Sequence, residues 1–296
     1  IQKGPLSKKD KIIFGIAVAF IVLVVGGLLW WISKQPMADI VFVPVPKAPV
    51  KYYSPLSGVQ VADEAATKRA VTAVMIENSP DARPQSGLAE ADVVFEEVAE
   101  GGITRFIALY QTSRPSLIGP VRSLRPYYAD WAAGFDPSVA HVGGSPEALS
   151  MIRSGNYGVD IDQFFNGDFY WRSSDRAAPH NVYTSSDKLD ALNASKGHTS
   201  STFTFAPRAD GKAVEKPDAS HIGIDVSSGI FSVSYDYNTA SNSYDRKQGG
   251  VAHVDREKGQ ISPKAVVALK APIVVSSDGL HMTITTIGSG QAYVFQ

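Results

Sequence analysis

SLRPYYADWAAGFDPSVAHVGGSPEALSMIRSG, residues 123–155, decides the fold class of this chain. Ser123 is placed to cap a helix over 123–135, with Pro126 in the first turn, where a missing N–H costs little. SVAHVGG (138–144) is a short apolar run closing on two glycines, the pattern of a buried strand. Ser145, Pro146 and Glu147 then open a second helix. They supply a capping hydroxyl, a residue that needs no N–H and a carboxylate near the positive dipole end, and Gly155 stops the helix. Helix, strand and helix in succession indicate α/β architecture.

The flanking sequence extends the alternation. AVTAVMIEN (70–78) is a compact apolar run ending in turn formers, so it reads as a buried strand. SGLAEA (86–91) reads as a short helical turn. DVVFEEVAEGGITRFIALYQ (92–111) reads as strand, Gly-Gly turn and strand, a hairpin. From about residue 215 the pattern changes. In GIFSVSYDYN (229–238), Phe231, Val233, Tyr235 and Tyr237 alternate on one face of a half-buried strand. The stretches 251–262, 265–275 and 280–296 add further strands and glycine-bearing turns. The expectation is an α/β N-terminal domain with a mixed sheet over 69–205, followed by a smaller β-rich domain over 215–296. The chain opens on Ile1 and ends at Gln296 within a strand-like stretch, so both ends are expected to be trimmed.

Ahead of these lie two segments of different character. IIFGIAVAFIVLVVGGLLWWI (12–32) carries no charge, and 21 residues at about 1.5 Å rise span a bilayer core. Trp30 and Trp31 stand at one end, Lys3, Lys8, Lys9 and Lys11 precede the run, and Lys34 follows it. The positive-inside rule then places residues 1–35 as a cytoplasmic stub with a single transmembrane helix, and the rest outside the cell membrane. A cleaved signal peptide is disfavoured by the length of the run and the lack of a small-x-small site. Pro36, Pro44, Pro46, Pro49 and Pro55 make residues 36–68 an extended extracytoplasmic tether.

Charge and composition exclude several classes. Lys+Arg 28 against Asp+Glu 29 leaves no field for bulk nucleic-acid binding. With no cysteine, thiol nucleophiles, thiolate metal sites and lipid attachment through sulfur are excluded. The six histidines lack ligand spacing, so neither a metal nor a cofactor is expected. No G-x-S-x-G elbow or H-E-x-x-H is present, although a spatial Ser–His–Asp set leaves no sequence signature.

ARPQSGLAEADVVFEEVAEGGITRFIALY, IGPVRSLRPYYADWA, HVGGSPEAL, FYWRSSDRAAPHNVYTS and GSGQAYVFQ occur in the order seen in the YerB-like family, which the chain resembles over residues 55–296. These are bacterial envelope proteins of unknown function, usually described as lipoproteins. The resemblance implies an α/β domain followed by a β-rich one and an envelope location. Lacking cysteine, this chain departs from the lipoprotein pattern, and the apolar helix takes over anchoring.

Candidate site residues follow from charge placed against helix starts. Arg122 and Arg125 flank Ser123 where the helix dipole is positive, so they are poor helix stabilisers. They fit an anion gripped by guanidinium forks. The alternative is internal pairing with hairpin carboxylates such as Glu96, Glu97 or Glu100. Gly143 and Gly144 let a ligand approach beside His141 and Ser145, although a lone histidine is more often structural. YWRSSDRAAPHN gathers Arg172, Arg176, His180 and Asn181 behind Tyr170 and Trp171, a polar loop with aromatic walls suited to sugar or phosphate; its own Arg–Asp pair could instead staple it. Arg83, Arg105, Glu97 and Glu100 are secondary candidates. The expected function is binding or scaffolding of an anionic or glycan-like envelope ligand, a cell-wall polymer or its precursor, with another envelope protein as a possible sheet-edge partner. The order of strand, IGPVRS, helix and Gly-Gly is loosely similar to the LytR-CpsA-Psr phosphotransferases. That similarity implies an alternative, phosphotransfer on cell-wall precursors.

Overall fold

The structure, a computed structural model, describes residues 7–35, 50–203, 205, 213, 215–276, 279 and 281–296. It divides into two compact units, residues 1–49 and 50–296. In the first, helix α1 (Lys8–Lys34) is long and apolar enough to cross a membrane. Ser7 and Asp10 form a reciprocal capping box at its start. Residues 36–49 of the expected tether lie outside the described residues. Residues 50–68 depart from a tether. A ribbon of Tyr52–Tyr53 with Gln60–Val61 and a helical turn Glu64–Thr67 form there. Ser54 is buried and donates to Gln111 Oε1. Prolines signalled extended chain, but they do not exclude an extended chain that packs.

The second unit is built on a five-stranded mixed sheet. Its strands are β1 (Val71–Glu77), β2 (Val93–Val98), β3 (Thr104–Tyr110), β4 (Pro137–His141) and β5 (Val159–Asp162), in the spatial order β2-β3-β1-β4-β5. β2, β3 and β1 pair antiparallel, while β1, β4 and β5 run parallel. Every residue of β1 and β3 is buried, as expected of strands covered on both faces. Ala73, Met75, Ile107 and Leu109 face a core closed by helices α2 (Pro126–Ala133) and α3 (Pro146–Arg153). Val74, Ile76, Phe106 and Ala108 face an opposite core closed by Ile118, Val121, Tyr170 and helix α4 (Ser186–Ser195).

The expected strands at 70–78, 92–111 and 138–144 all form. So does the second helix, whose Ser145 hydroxyl accepts from Ala148 N. The first helix differs at its start. Pro126 is its first residue and Arg125 its N-cap, and Ser123 does not cap it. A residue before proline is driven to extended backbone, and Arg125 sits there at φ −128°, so the helix begins two residues later than a Ser123 cap requires.

Residues 118–124 form a wedge. The β1–β4 ladder ends at Val74 opposite Ala140. Beyond that point the strands part and the wedge enters. Arg122 N donates to Met75 O at 2.9 Å, Val142 N donates to Arg122 O at 3.0 Å, and Leu124 N donates to Gly143 O at 2.9 Å. Glu77 N donates to Pro120 O at 2.9 Å.

The β-rich part carries an antiparallel sheet of β6 (His221–Ile224), β7 (Val233–Asn238), β8 (Ser243–Gln248) and β9 (Val251–Ala252). Phe231, Val233 and Tyr235 are buried as the alternation predicts, with Gly229–Phe231 in a 3₁₀ turn before the strand. A buried polar network joins this part to the mixed sheet. Arg246 donates to Glu96 Oε2 at 2.8 Å and to His253 Nδ1 at 2.8 Å. Arginine is donor only, so Nδ1 is the acceptor and Nε2–H donates to Gln85 Oε1 at 3.0 Å. Gln85 Nε2 in turn reaches Glu77 O and Asn78 Oδ1. Burial first, then the charges of Arg246 and Arg83, push the His253 pKa well below its ordinary value.

Two tests follow. Gly158 approaches the start of β4 at φ +118°, and a Cβ there would lie 2.4 Å from Pro137 O. Gly158→Ala is expected to lose at least about 1–3 kcal/mol in urea unfolding. His253 stays neutral in the fold but takes a proton when unfolded. Its contribution is therefore complete above about pH 6.5 and is lost as pH falls from there through the folded value. The midpoint of unfolding should fall less between neutral and mildly acid pH in His253→Gln than in the parent, and equal slopes would refute the assignment.

Candidate functional site

The carboxyl ends of β1, β4 and β5 gather the charged residues, which is where α/β sheets hold ligands. Glu77 closes β1 and is 4% exposed. Its Oε1 meets three groups: His180 Nδ1 at 2.9 Å, Ser79 Oγ at 3.0 Å and Arg122 Nε at 3.3 Å. Its Oε2 is buried with no hydrogen-bond partner. The wedge presents Arg122 to this carboxylate through Nε, leaving Nη1 and Nη2 without hydrogen bonds among the described residues. The side chain is 25% exposed. Ser79 and Glu77 both approach the same ring nitrogen of His180, with Ser79 at 3.3 Å. A serine–histidine–acid relay needs them on opposite nitrogens, so Ser79, His180 and Glu77 do not form one; Asp81 Oδ2 lies 4.0 Å from the other nitrogen, Nε2.

Arg125, three residues on, faces elsewhere. It is 7% exposed and ion-paired with Glu100 Oε1. Arg105, equally buried, bonds Glu100 Oε2 at 3.0 Å and Ser123 O at 2.8 Å. Burial alone would raise the Glu100 pKa, but the two guanidinium groups outweigh it and hold the carboxylate below its ordinary range. These arginines therefore follow the internal-pair alternative. Ser123 contributes a carbonyl to Arg105 rather than a helix cap. Buried phenols fix the same corner: Tyr127 donates to Val98 O at 2.7 Å and Tyr128 to Arg105 O at 2.6 Å. Glu97 has no cation within ion-pair distance among the described residues, and burial raises its pKa.

His141 is fully buried, with Gly143 O at 2.8 Å from Nδ1 and Asp160 Oδ1 at 3.1 Å from Nε2. It has no surface to offer a ligand and instead holds the Gly143–Gly144 turn against β5. Ser145 is spent on its helix cap. The polar loop divides. Arg172 is exposed and donates to Asn181 Oδ1 at 2.7 Å, while Asn181 is buried and donates to Ser173 O. Arg176 donates to Pro84 O, and its Nη1 is buried without a partner. Asp175 pairs with Arg256 across the loop at 2.9 Å, not with an arginine of its own segment. Arg83 donates to Asn78 O at 2.9 Å and lies over the Phe231 ring. The structure thus brings Arg122 and His180 together on Glu77. It separates them from the Arg105–Arg125–Glu100 group.

Sequence reasoning missed Glu77 and Ser79. The signal was available: a carboxylate ending a wholly apolar strand run is rarely left unpaired.

These features define a two-part protein, a mixed α/β sheet with a polar carboxyl edge joined to a β-rich domain, carrying an apolar N-terminal helix. The chain belongs to the family described as "Protein of unknown function (DUF3048)": its N-terminal domain matches residues 56–200 and its C-terminal domain residues 222–296. It is 34% identical over 259 residues to "Putative lipoprotein YerB" of Bacillus subtilis (strain 168), covering 85% of this chain and 77% of that protein. A crystal structure of YerB protein from Bacillus subtilis superposes with a TM-score of 0.73 at 32% identity, covering 83% of this chain and 84% of that one.

The two arginines leave different carboxylates behind. Arg125→Ala removes one of two guanidinium groups from Glu100, which is 32% exposed and keeps Arg105, and is expected to cost about 1–3 kcal/mol. Arg122→Ala takes from Glu77, whose side chain is 6% exposed, its one guanidinium among the described residues, and should cost at least as much in the same denaturant titration.

Proposed function

We propose that this is a membrane-anchored extracytoplasmic binding or scaffold protein whose ligand is an anionic, glycan-like component of the cell envelope. One observation carries the reading. Arg122 is fixed at the carboxyl edge of the central strand by its main chain and ion-paired to Glu77 through Nε, with both terminal nitrogens unbonded among the described residues. A preset guanidinium fork is what bidentate recognition of phosphate or carboxylate requires. His180 stands beside it on the same carboxylate, and Arg172 and Arg176 come from the loop that delivers His180. The lysines ahead of α1 favour a cytoplasmic N-terminus with the folded unit outside. A relative named as a lipoprotein agrees with an envelope location. No observation favours the phosphotransferase alternative over binding.

The test is retention of the full chain, in detergent, on a purified cell-wall fraction. At a temperature where the variants remain folded, Arg122→Ala is expected to lower retention by at least about tenfold, and Arg122→Lys to restore part of it. Undiminished retention by Arg122→Ala would overturn the reading.

A further inference from the structure

A groove of about 610 Å³ opens between the C-terminal end of α3 and the start of β5, within the roughly 300–1,000 Å³ range of ligand clefts. We propose that it is a second binding site and takes a neutral, hydroxyl-rich saccharide chain. It stands independently of the Arg122 reading, since none of the groups discussed there lines it.

Its charges cancel. Arg153 and Lys196 are balanced by Asp136 and Asp160, so the lining selects neither an anion nor a cation. Phe165 forms one wall and is 73% exposed, an apolar ring left open beside polar neighbours. A sugar ring offers an apolar C–H face rimmed by hydroxyls, and the negative face of a phenyl ring attracts the polarised C–H groups. The rim finds donors and acceptors in place. Asn156 carries no side-chain hydrogen bond among the described residues. Asn166 uses its Nδ2 on Asp162 O at 2.8 Å and keeps its carbonyl oxygen.

The floor is preorganised. Arg153 lies over the Phe165 ring at 5.3 Å, with Asp160 Oδ2 and Asp162 Oδ2 each 3.5 Å from its guanidinium. Beneath the lining, Asp162 is 1% exposed, and its Oδ2 has no hydrogen bond among the described residues. Its other oxygen accepts from Gly143 N and Phe164 N, which fixes the carboxylate toward Arg153. Asp160 lines the groove beside Arg153, so a hydroxyl there meets a carboxylate acceptor and a loosely held guanidinium donor together.

Isothermal titration of the full chain in detergent with N-acetylchitotetraose and with maltotetraose tests this. Saturable binding of at least one is expected in the micromolar to millimolar range. Phe165→Ala should weaken it by at least about tenfold, and Arg122→Ala should leave it unchanged. Phe164→Ala serves as the control. Phe164 is 67% exposed, adjacent in sequence and outside the groove lining, so its loss should also change nothing. Absence of heat with both saccharides, equal weakening by Phe164→Ala and Phe165→Ala, or undiminished binding by Phe165→Ala would overturn the proposal. Binding of an extended peptide along β5 that neither saccharide displaces would do so as well.

Discussion

The arrangement of the site depends on the peptide of residue 122 standing between two parallel strands. Where β1 and β4 part, Met75 O and Val142 N would be left inside the protein without partners, at a cost comparable to a lost hydrogen bond for each. Residues 118–124 supply both partners, and this sets the register of everything after them. Arg122 emerges beside Glu77. Three residues on, just before the Pro126 that fixes where α2 begins, Arg125 points to the hairpin and Glu100. The two arginines look like one motif in sequence and belong to two environments in space.

Those environments follow different physical rules. Around Glu100, two buried guanidinium groups share one carboxylate, and backbone carbonyls of Ser123 and Leu124 take further N–H groups. Such a group holds the hairpin to α2, and its worth lies in leaving no charge stranded rather than in net attraction. Around Glu77 the accounting is incomplete. One carboxylate oxygen takes Ser79, His180 and the ion pair with Arg122, while the other has no hydrogen-bond partner among the described residues. Arg246 shows the complete version of the same chemistry. Its guanidinium is occupied by Glu96, Tyr235 and His253, and its plane lies over Phe106 and Tyr235. Satisfied networks specify a geometry, and the joint at Arg246 is one, whereas the Glu77 group is left incomplete among the described residues.

What the sequence discloses and what it hides divide along the range of the interaction. The strands at 70–78 and 92–111 were legible because a buried strand must be apolar along its own length. The Ser145 cap was legible because a helix start is a local problem. Ser123 misled because a capping hydroxyl is a preference, whereas the backbone restriction before Pro126 is steric. The partners of Arg122, Arg125 and Asp175 were not legible. Each lies between 25 and 81 residues away and is chosen by how strands and loops converge, which no short window encodes. Phe165 was hidden for the opposite reason. An apolar residue after a strand reads as core, and only the fold shows it on the surface.

A chain of tied groups runs from the groove toward Arg122. Arg153 faces Asp162, Asp162 Oδ1 accepts from Gly143 N, and Gly143 O accepts from Leu124 N, two residues from Arg122. Every one of these backbone groups is tied, and His141 locks the turn from below. Contiguity of this kind does not establish energetic coupling, which needs an element with two arrangements that both sites bias. What it establishes is a fixed spacing. Arg122 stands at the carboxyl end of β1 and the groove at the start of β5, so a single molecule touching both would have to run along the parallel strands, which a small free anion is too short to do.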